Sequence, residues 1–246
     1  MRTLIVIGTG LIGGSFALAA KKAHLVETVI GLDDDENALI EAKKLGVIDA
    51  QRKYGPDVPI FDTGSVKAPV IEAFDSVPAN FVPCHPIAGS DRQGPAAADA
   101  DLFQDRTVVV TPLESTNAAA VTVIEKAWSG VGARVIRQSP DQHDIDMATV
   151  SHLPHLVRFA LVDLLAKSAT SLNDRIGDGF RDMTRIAGSD PTIWRHILTD
   201  NAGWVRKKLD ELIRILETIQ NAAQYDPDEL QRILTNISDY RKRLDG

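Results

Sequence analysis

Only one cysteine, Cys84, occurs in 246 residues. No internal disulfide framework can form, and this usage fits a reducing compartment. No run of about 18 apolar residues is present, so no segment is expected to span a bilayer. The chain has no basic excess either: 27 Lys and Arg stand against 34 Asp and Glu, a formal charge of −7. Without a basic cluster, nucleic acid is not expected as a partner. Met1-Arg2-Thr3 leads directly into a strand-like apolar run with no small-residue cleavage site, unlike a signal peptide. Repeats and low-complexity tracts are missing too. What remains is 44% hydrophobic and 25% charged, the composition of a folded soluble protein. The expectation is a cytoplasmic globular chain of one large domain or two modest ones.

Residues 3–138 alternate short apolar runs with helical stretches. The runs are Thr3–Gly8, Thr28–Asp33, Pro59–Ser65, Asn80–Pro86, Thr107–Pro112 and Ala133–Gln138. Several are continuous rather than alternating, as strands buried on both faces should be. Helix candidates lie between them, such as Phe16–Lys22, Glu36–Leu45, Val66–Phe74 and Asn117–Trp128. This predicts an α/β domain with a mostly parallel, doubly wound sheet. At Ser139 the pattern changes. Ser139 as N-cap, Pro140 at the first helical position and Gln142 three residues after the cap open a helix. Strand signals then stop, which predicts residues 1–139 as a dinucleotide-binding domain and 140–246 as an all-α domain. One helix is expected from Pro140 to about Lys167 with a bend at Pro154, and a long stretch from Ser189-Asp190-Pro191 towards Gln224. A last start is expected at Asp226-Pro227. In the long stretch Val205, Leu209, Leu212, Leu216 and Ile219 recur at steps of four and three. Such a seam serves either a core or a partner helix.

Gly8-Thr9-Gly10-Leu11-Ile12-Gly13 closes a strand and opens a helix. Gly8 permits the tight turn, Gly10 lets backbone approach a pyrophosphate, and Gly13 lets helix and strand pack closely. The helix N-terminus presents free N–H groups and partial positive charge to phosphates. Asp33 ends the next strand, 20 residues after Gly13, where a carboxylate accepts hydrogen bonds from a ribose. An acid there repels a 2′-phosphate, so NAD is favoured over NADP.

Three polar clusters then suggest chemistry: Asp62-Thr63-Gly64-Ser65-Val66-Lys67; Cys84-His85-Pro86-Ile87-Ala88-Gly89-Ser90; and Ser151-His152-Leu153-Pro154-His155 together with Phe180–Ala187, Pro191 and Trp194. The first two follow strands, where open α/β folds bind ligands. The third falls in the helical half, so the expected site is a cleft between domains. With the glycine loop and the Val110–Pro112 strand end, these clusters make the chain resemble the prephenate and arogenate dehydrogenases of tyrosine biosynthesis over nearly its whole length. That resemblance implies NAD(P)-dependent oxidative decarboxylation of prephenate, arogenate or both, and a homodimer formed through the helical domain.

By the same resemblance His85 accepts the proton of the substrate's ring hydroxyl, work suited to a neutral imidazole at cytosolic pH. Ser65 bonds that hydroxyl or the His85 ring; a helix cap is its plainer role. Arg185 grips a substrate carboxylate, His152 stands on the substrate side, and Trp194 lines the pocket. His155 is expected to be structural, and no third ligand accompanies the two histidines, so no metal is expected. Cys84 and His85 are neighbours on an extended segment and point to opposite sides, which excludes a Cys–His nucleophile pair. Asp91 either favours the ammonium of arogenate or serves as a loop acid that gates the pocket or pairs with Arg92. Two other readings use the glycine loop alone: another two-domain NAD-dependent dehydrogenase or reductase, and a non-catalytic dinucleotide-binding dimer.

One stretch departs from the family pattern. Asp33 to Ser65 spans 32 residues, yet it should hold a helix, a strand, a crossover helix and the strand before Ser65. A strand–helix unit of roughly thirty residues is lacking near Lys53-Tyr54. Either it belongs to the natural protein and is absent from this sequence, or the protein does without it and its cofactor site suffers. Physical reasoning predicts a hole in the sheet and an unpaired strand edge.

Overall fold

A computed structural model describes residues 3–33, 35–50, 58–89, 94–168 and 172–244. Asp91 and the Lys53-Tyr54 junction lie outside the described residues. The chain forms two compact units. The first comprises Met1–Met147 with Ser189–Asp200; the second comprises Ala148–Gly188 with Asn201–Gly246.

In the first unit, β1 (Thr3–Ile7) leads into α1 (Leu11–Lys22), β2 (Thr28–Leu32) and α2 (Glu36–Lys44). β1 and β2 pair in parallel, Thr3 opposite Thr28 and Ile7 opposite Leu32. On the outer side of β2, Ile30 bridges in parallel to Ala50. Next come β3 (Ile60–Phe61), α3 (Ala68–Glu72), β4 (Phe81–Val82) and β5 (Cys84–Pro86). β3 pairs in parallel with β4. β6 (Thr107–Val110), α4 (Ala118–Gly130) and β7 (Arg134–Arg137) complete the sheet elements. β6 runs parallel to β7 and antiparallel to β5. The run expected as one strand from Asn80 is therefore two, divided at Pro83. Proline has no N–H to give a ladder, so the strand changes partner there. The α/β class is as expected, with one antiparallel pair in a mostly parallel arrangement.

The strands of the described residues fall into three separate sheets. Among the described residues β1 has no neighbour on the side away from β2, and β3 pairs only with β4. Between them opens a cavity of about 960 Å³, lined by β1, by Val58–Val66 and by Ile124 and Ala127 of α4. No strand among the described residues fills that space. Along β1, Leu4 and Val6 are buried, but Ile7 is 65% exposed, so burial on both faces is not achieved. The core lies under the rest of the sheet, where Phe16 stacks edge-on against Trp128 at 4.5 Å between centroids, with Phe61 and Phe103 alongside. Cys84 belongs to this core, fully buried, and burial pushes its thiol pKa up. It is the inert side chain the sequence suggested.

Ser139 does cap the helix after β7, its Oγ accepting from Gln142 N at 3.2 Å. That helix, α5 (Pro140–Met147), belongs to the first unit, as does α8 (Pro191–Asp200). The second unit opens with a π-helical turn at Ala148–His152 and continues as α6 (Leu153–Ala166). The expected bend is this turn: Pro154 cannot donate to the carbonyl four residues earlier, so the helix widens before it. α7 (Asp178–Thr184) had no clear sequence signal. The long stretch from Pro191 breaks at Asp200-Asn201, and α9 (Ala202–Tyr225) is separate from α8. α10 (Pro227–Arg243) begins where expected, with Asp226 accepting from Glu229 N at 2.9 Å.

Candidate functional site

The glycine loop is built as the motif requires. Gly8 has φ +83°, a left-handed conformation costly for other residues. A Cβ on Gly13 would lie 2.0 Å from Gly8 O, so α1 packs on β1 only because that atom is missing. At Gly10 a Cβ would meet open space, and Gly10 caps α1 with no side-chain bond to its first N–H groups. This end of α1, close-packed behind and open in front, fits a pyrophosphate. Asp33 sits beside it, its Oδ2 accepting from Thr9 N at 2.6 Å and Thr9 Oγ1 at 2.9 Å. The acid expected to meet a ribose therefore also holds the loop in shape.

Asp62 and Lys67 join the second polar cluster to the third strand region. Asp62 Oδ1 accepts from Cys84 N and its Oδ2 from Gly64 N, both at 2.9 Å. The Lys67 ammonium is fully buried, pairs with the Asp62 carboxylate and donates to Cys84 O at 2.6 Å. Ser65, half-buried within this turn, is thereby fixed relative to the strand that carries His85. Both Ser65 and Gly8 line the cavity beside β1.

His85 is half-buried, and its Nδ1 lies 2.8 Å from Nε2 of His143, a fully buried ring on α5. His143 Nδ1 in turn lies 2.8 Å from Asp144 Oδ1. The Asp144 carboxylate also accepts from Lys67 N at 2.8 Å and Ala68 N at 2.9 Å. Burial works against its charge, but the His143 bond and those two N–H groups outweigh it and hold its pKa below the usual range. Sequence reasoning gave no role to Lys67, His143 or Asp144. Their signal was a His-Asp pair inside a helix whose neighbours Ile145 and Met147 are apolar, and a lysine next to apolar Val66.

The remaining expected residues divide between the units. Trp194, half-buried on α8, is in the first unit with the glycine loop, Ser65 and His85. Arg185 and His152 are in the second. Arg185 is exposed at the end of α7. His152 is only 1% exposed, with Nδ1 3.0 Å from Asn201 Nδ2. His155 is more open; burial, then the charges of Arg158 and His152, lower its pKa to about 4.

Two family models match the chain: the nucleotide-binding domain of prephenate dehydrogenase over residues 52–137, and its dimerization domain over 139–236. A prephenate dehydrogenase from Bacillus subtilis is 34% identical over 281 residues, covering 98% of this chain and 76% of that protein. The chain belongs to the prephenate dehydrogenase family. A cyclohexadienyl dehydrogenase from Zymomonas mobilis is also 34% identical, covering 92% of this chain and 90% of that protein. The crystal structure of prephenate dehydrogenase from A. aeolicus, in complex with hydroxyphenyl propionate and NAD+, has a TM-score of 0.92. It is 28% identical and covers 99% of this chain and 98% of that one. The matched span of 281 residues in the B. subtilis protein exceeds the 246 of this chain, so at least 35 of its residues have no counterpart here. Members of the family are NAD-linked oxidoreductases, and the glycine loop with Asp33 is this chain's fit to that cofactor.

Proposed function

We propose that the chain oxidises prephenate with NAD, releasing carbon dioxide and leaving an aromatic ring, with His85 as the proton acceptor. The observation that carries the assignment is the His85 imidazole, bonded to buried His143, on a strand whose backbone at Cys84 is tied by Asp62 and Lys67 to the turn that carries Ser65. Bound NAD supplies the hydride acceptor. Gly8, Gly10, Leu11, Ile12 and Gly13 would hold its pyrophosphate on the N-terminus of α1, and Asp33 its ribose. The His85 imidazole takes the ring hydroxyl's proton as the hydride leaves that carbon, so the oxygen ends as a carbonyl. Loss of carbon dioxide then sends the electrons of its broken bond through the ring to that oxygen, which takes the proton back from the His85 imidazolium and ends as a phenol on an aromatic ring. Ser65 orients the hydroxyl, Arg185 anchors a carboxylate through its planar fork, and Trp194 packs against the ring. His152, bonded to Asn201, stands on the substrate side in this reading. Arogenate as a second substrate rests on Asp91 and on the cyclohexadienyl dehydrogenase relative.

The chain works as a homodimer in the cytoplasm in this reading. Only Val205 and Ala222 of α9 are buried and no residue of α10 is, whereas Leu216 is 55%, Ile215 53% and Ile237 50% exposed. An apolar face of that kind asks for a second helix pair. No helix among the described residues is long and apolar enough to cross a membrane.

The test is NADH production with prephenate and with arogenate, each supplied with NAD and with NADP. NADH formed from prephenate and NAD is the expected result. His85→Asn should then lower turnover by roughly 10²–10⁴-fold, the usual scale for losing a general base. Arg185→Gln should chiefly raise KM for the substrate. Unchanged turnover in His85→Asn refutes the assignment of the base. No turnover on either substrate, with NAD still bound, favours the non-catalytic dinucleotide-binding dimer.

A further inference from the structure

We infer that His143, with Asp144, is a positioning residue that fixes the tautomer of His85; this rests on the reading of His85 as the base. A carboxylate can only accept hydrogen bonds. Asp144 already accepts from Lys67 N and Ala68 N, one on each oxygen, which holds it in that state. His143 Nδ1, at 2.8 Å from Asp144 Oδ1, must therefore carry the hydrogen. In a neutral ring the other nitrogen then bears the lone pair, so His143 Nε2 accepts. The nitrogen it accepts from, 2.8 Å away, is His85 Nδ1. His85 consequently holds its hydrogen on Nδ1 and its lone pair on Nε2.

Without that chain, a neutral histidine can place its hydrogen on either nitrogen, and only the Nδ1–H form offers Nε2 as a proton acceptor. When His85 Nε2 takes the substrate proton, the imidazolium's Nδ1–H stays bonded to His143, whose far side faces the Asp144 charge. The full burial of His143 keeps water from competing for these bonds. Among the described residues the other charged groups bonded to this chain of contacts, Lys67 and Asp62, are bonded to one another and to the β5 backbone. The logic is that of a buried acid orienting a catalytic histidine, extended by one ring.

The test begins with ring nitrogen NMR on the wild-type chain labelled at its six histidines, at a pH of about 8.5, two units above an unperturbed histidine. The His85 signals are assigned by their loss in His85→Asn. The expected result is the Nδ1–H tautomer for His85, changing to mainly Nε2–H in His143→Ala. An Nε2–H tautomer in the wild type, or no change in the variant, overturns the proposal. This readout needs no substrate, so it stands apart from the NADH assay, whose failure would refute the function and not the tautomer.

Where turnover is present, His143→Ala should lower kcat by about 10²–10⁴-fold, the scale of a lost or misprotonated base, with KM changed less than about threefold. Added imidazole should restore rate, because it can donate to Asp144 while accepting from His85. Added 1-methylimidazole, similar in shape but with no N–H, should not. Equal restoration by both would mark His143 as packing and overturn the proposal. If His143→Ala does not fold, the wild-type tautomer alone decides.

Discussion

The brace between Lys67 and Asp62 offers the sharpest test of what holds this site together. Replacing Lys67 with Met keeps the volume of the stem but removes a fully buried ammonium, its bond to Cys84 O and its pairing with Asp62. Removing one member of a buried pair costs about 3–5 kcal/mol, because the partner charge is left uncompensated. Asp62 softens that cost: it is 17% exposed and keeps the N–H groups of Gly64 and Cys84. A loss of about 3 kcal/mol follows for Lys67→Met, at the low end of that range. At roughly 2–4 °C per kcal/mol for a chain of this size, Tm should fall by about 6–12 °C. Asp62→Asn strands a lysine with no exposure at all, so it should cost more, towards about 5 kcal/mol. The double variant should cost less than the sum of the two by roughly 1–3 kcal/mol. Urea unfolding at 25 °C measures this, read from Trp128 emission with Trp194 and Trp204 replaced by Phe. A Lys67→Met cost below about 1 kcal/mol, or strict additivity, would refute the reasoning.

Gly13→Ala puts a methyl group 2.0 Å from Gly8 O and 2.8 Å from Val6 Cγ1; it should cost about 1–3 kcal/mol and weaken NAD about tenfold or more, seen by thermal melting and NAD titration. His155 has a folded pKa of about 4 against an ordinary 6.5. The unfolded chain therefore binds the extra proton first, and stability should fall as pH drops from about 6.5 towards 4; urea titrations should show a flatter limb in His155→Gln. Glutamate in place of Leu216 and Ile215, both more than half exposed on α9, should give a monomer by light scattering if that face is the dimer contact.

Local rules carried much of this fold into the sequence. The glycine loop needs no distant residue to be read: the turn, the close approach at Gly13 and the helix N-terminus all follow from six adjacent residues. The caps at Ser139 and Asp226 are equally local, which explains why α5 and α10 begin where the residues say. Pro83 was visible too, but what it does depended on β3 and β6 lying on its two sides. The shortness of the stretch from Asp33 to Ser65 was legible as a count, since 32 residues leave little room for four elements.

The sequence by itself determined the α/β class, the dinucleotide loop and the family's polar clusters, because each is a short pattern of spacing and residue type. Tertiary structure alone decided which buried polar groups meet. Lys67 and Asp62 could have been a surface pair, yet folding puts the ammonium out of reach of water and ties it to the strand that carries His85. His143 and Asp144 lie 58 and 77 residues from the partners they bond, a separation no local pattern spans. Folding, too, places a cavity beside β1, which a count between Asp33 and Ser65 could not locate. A strand's edge is satisfied only by whatever the rest of the chain brings alongside it.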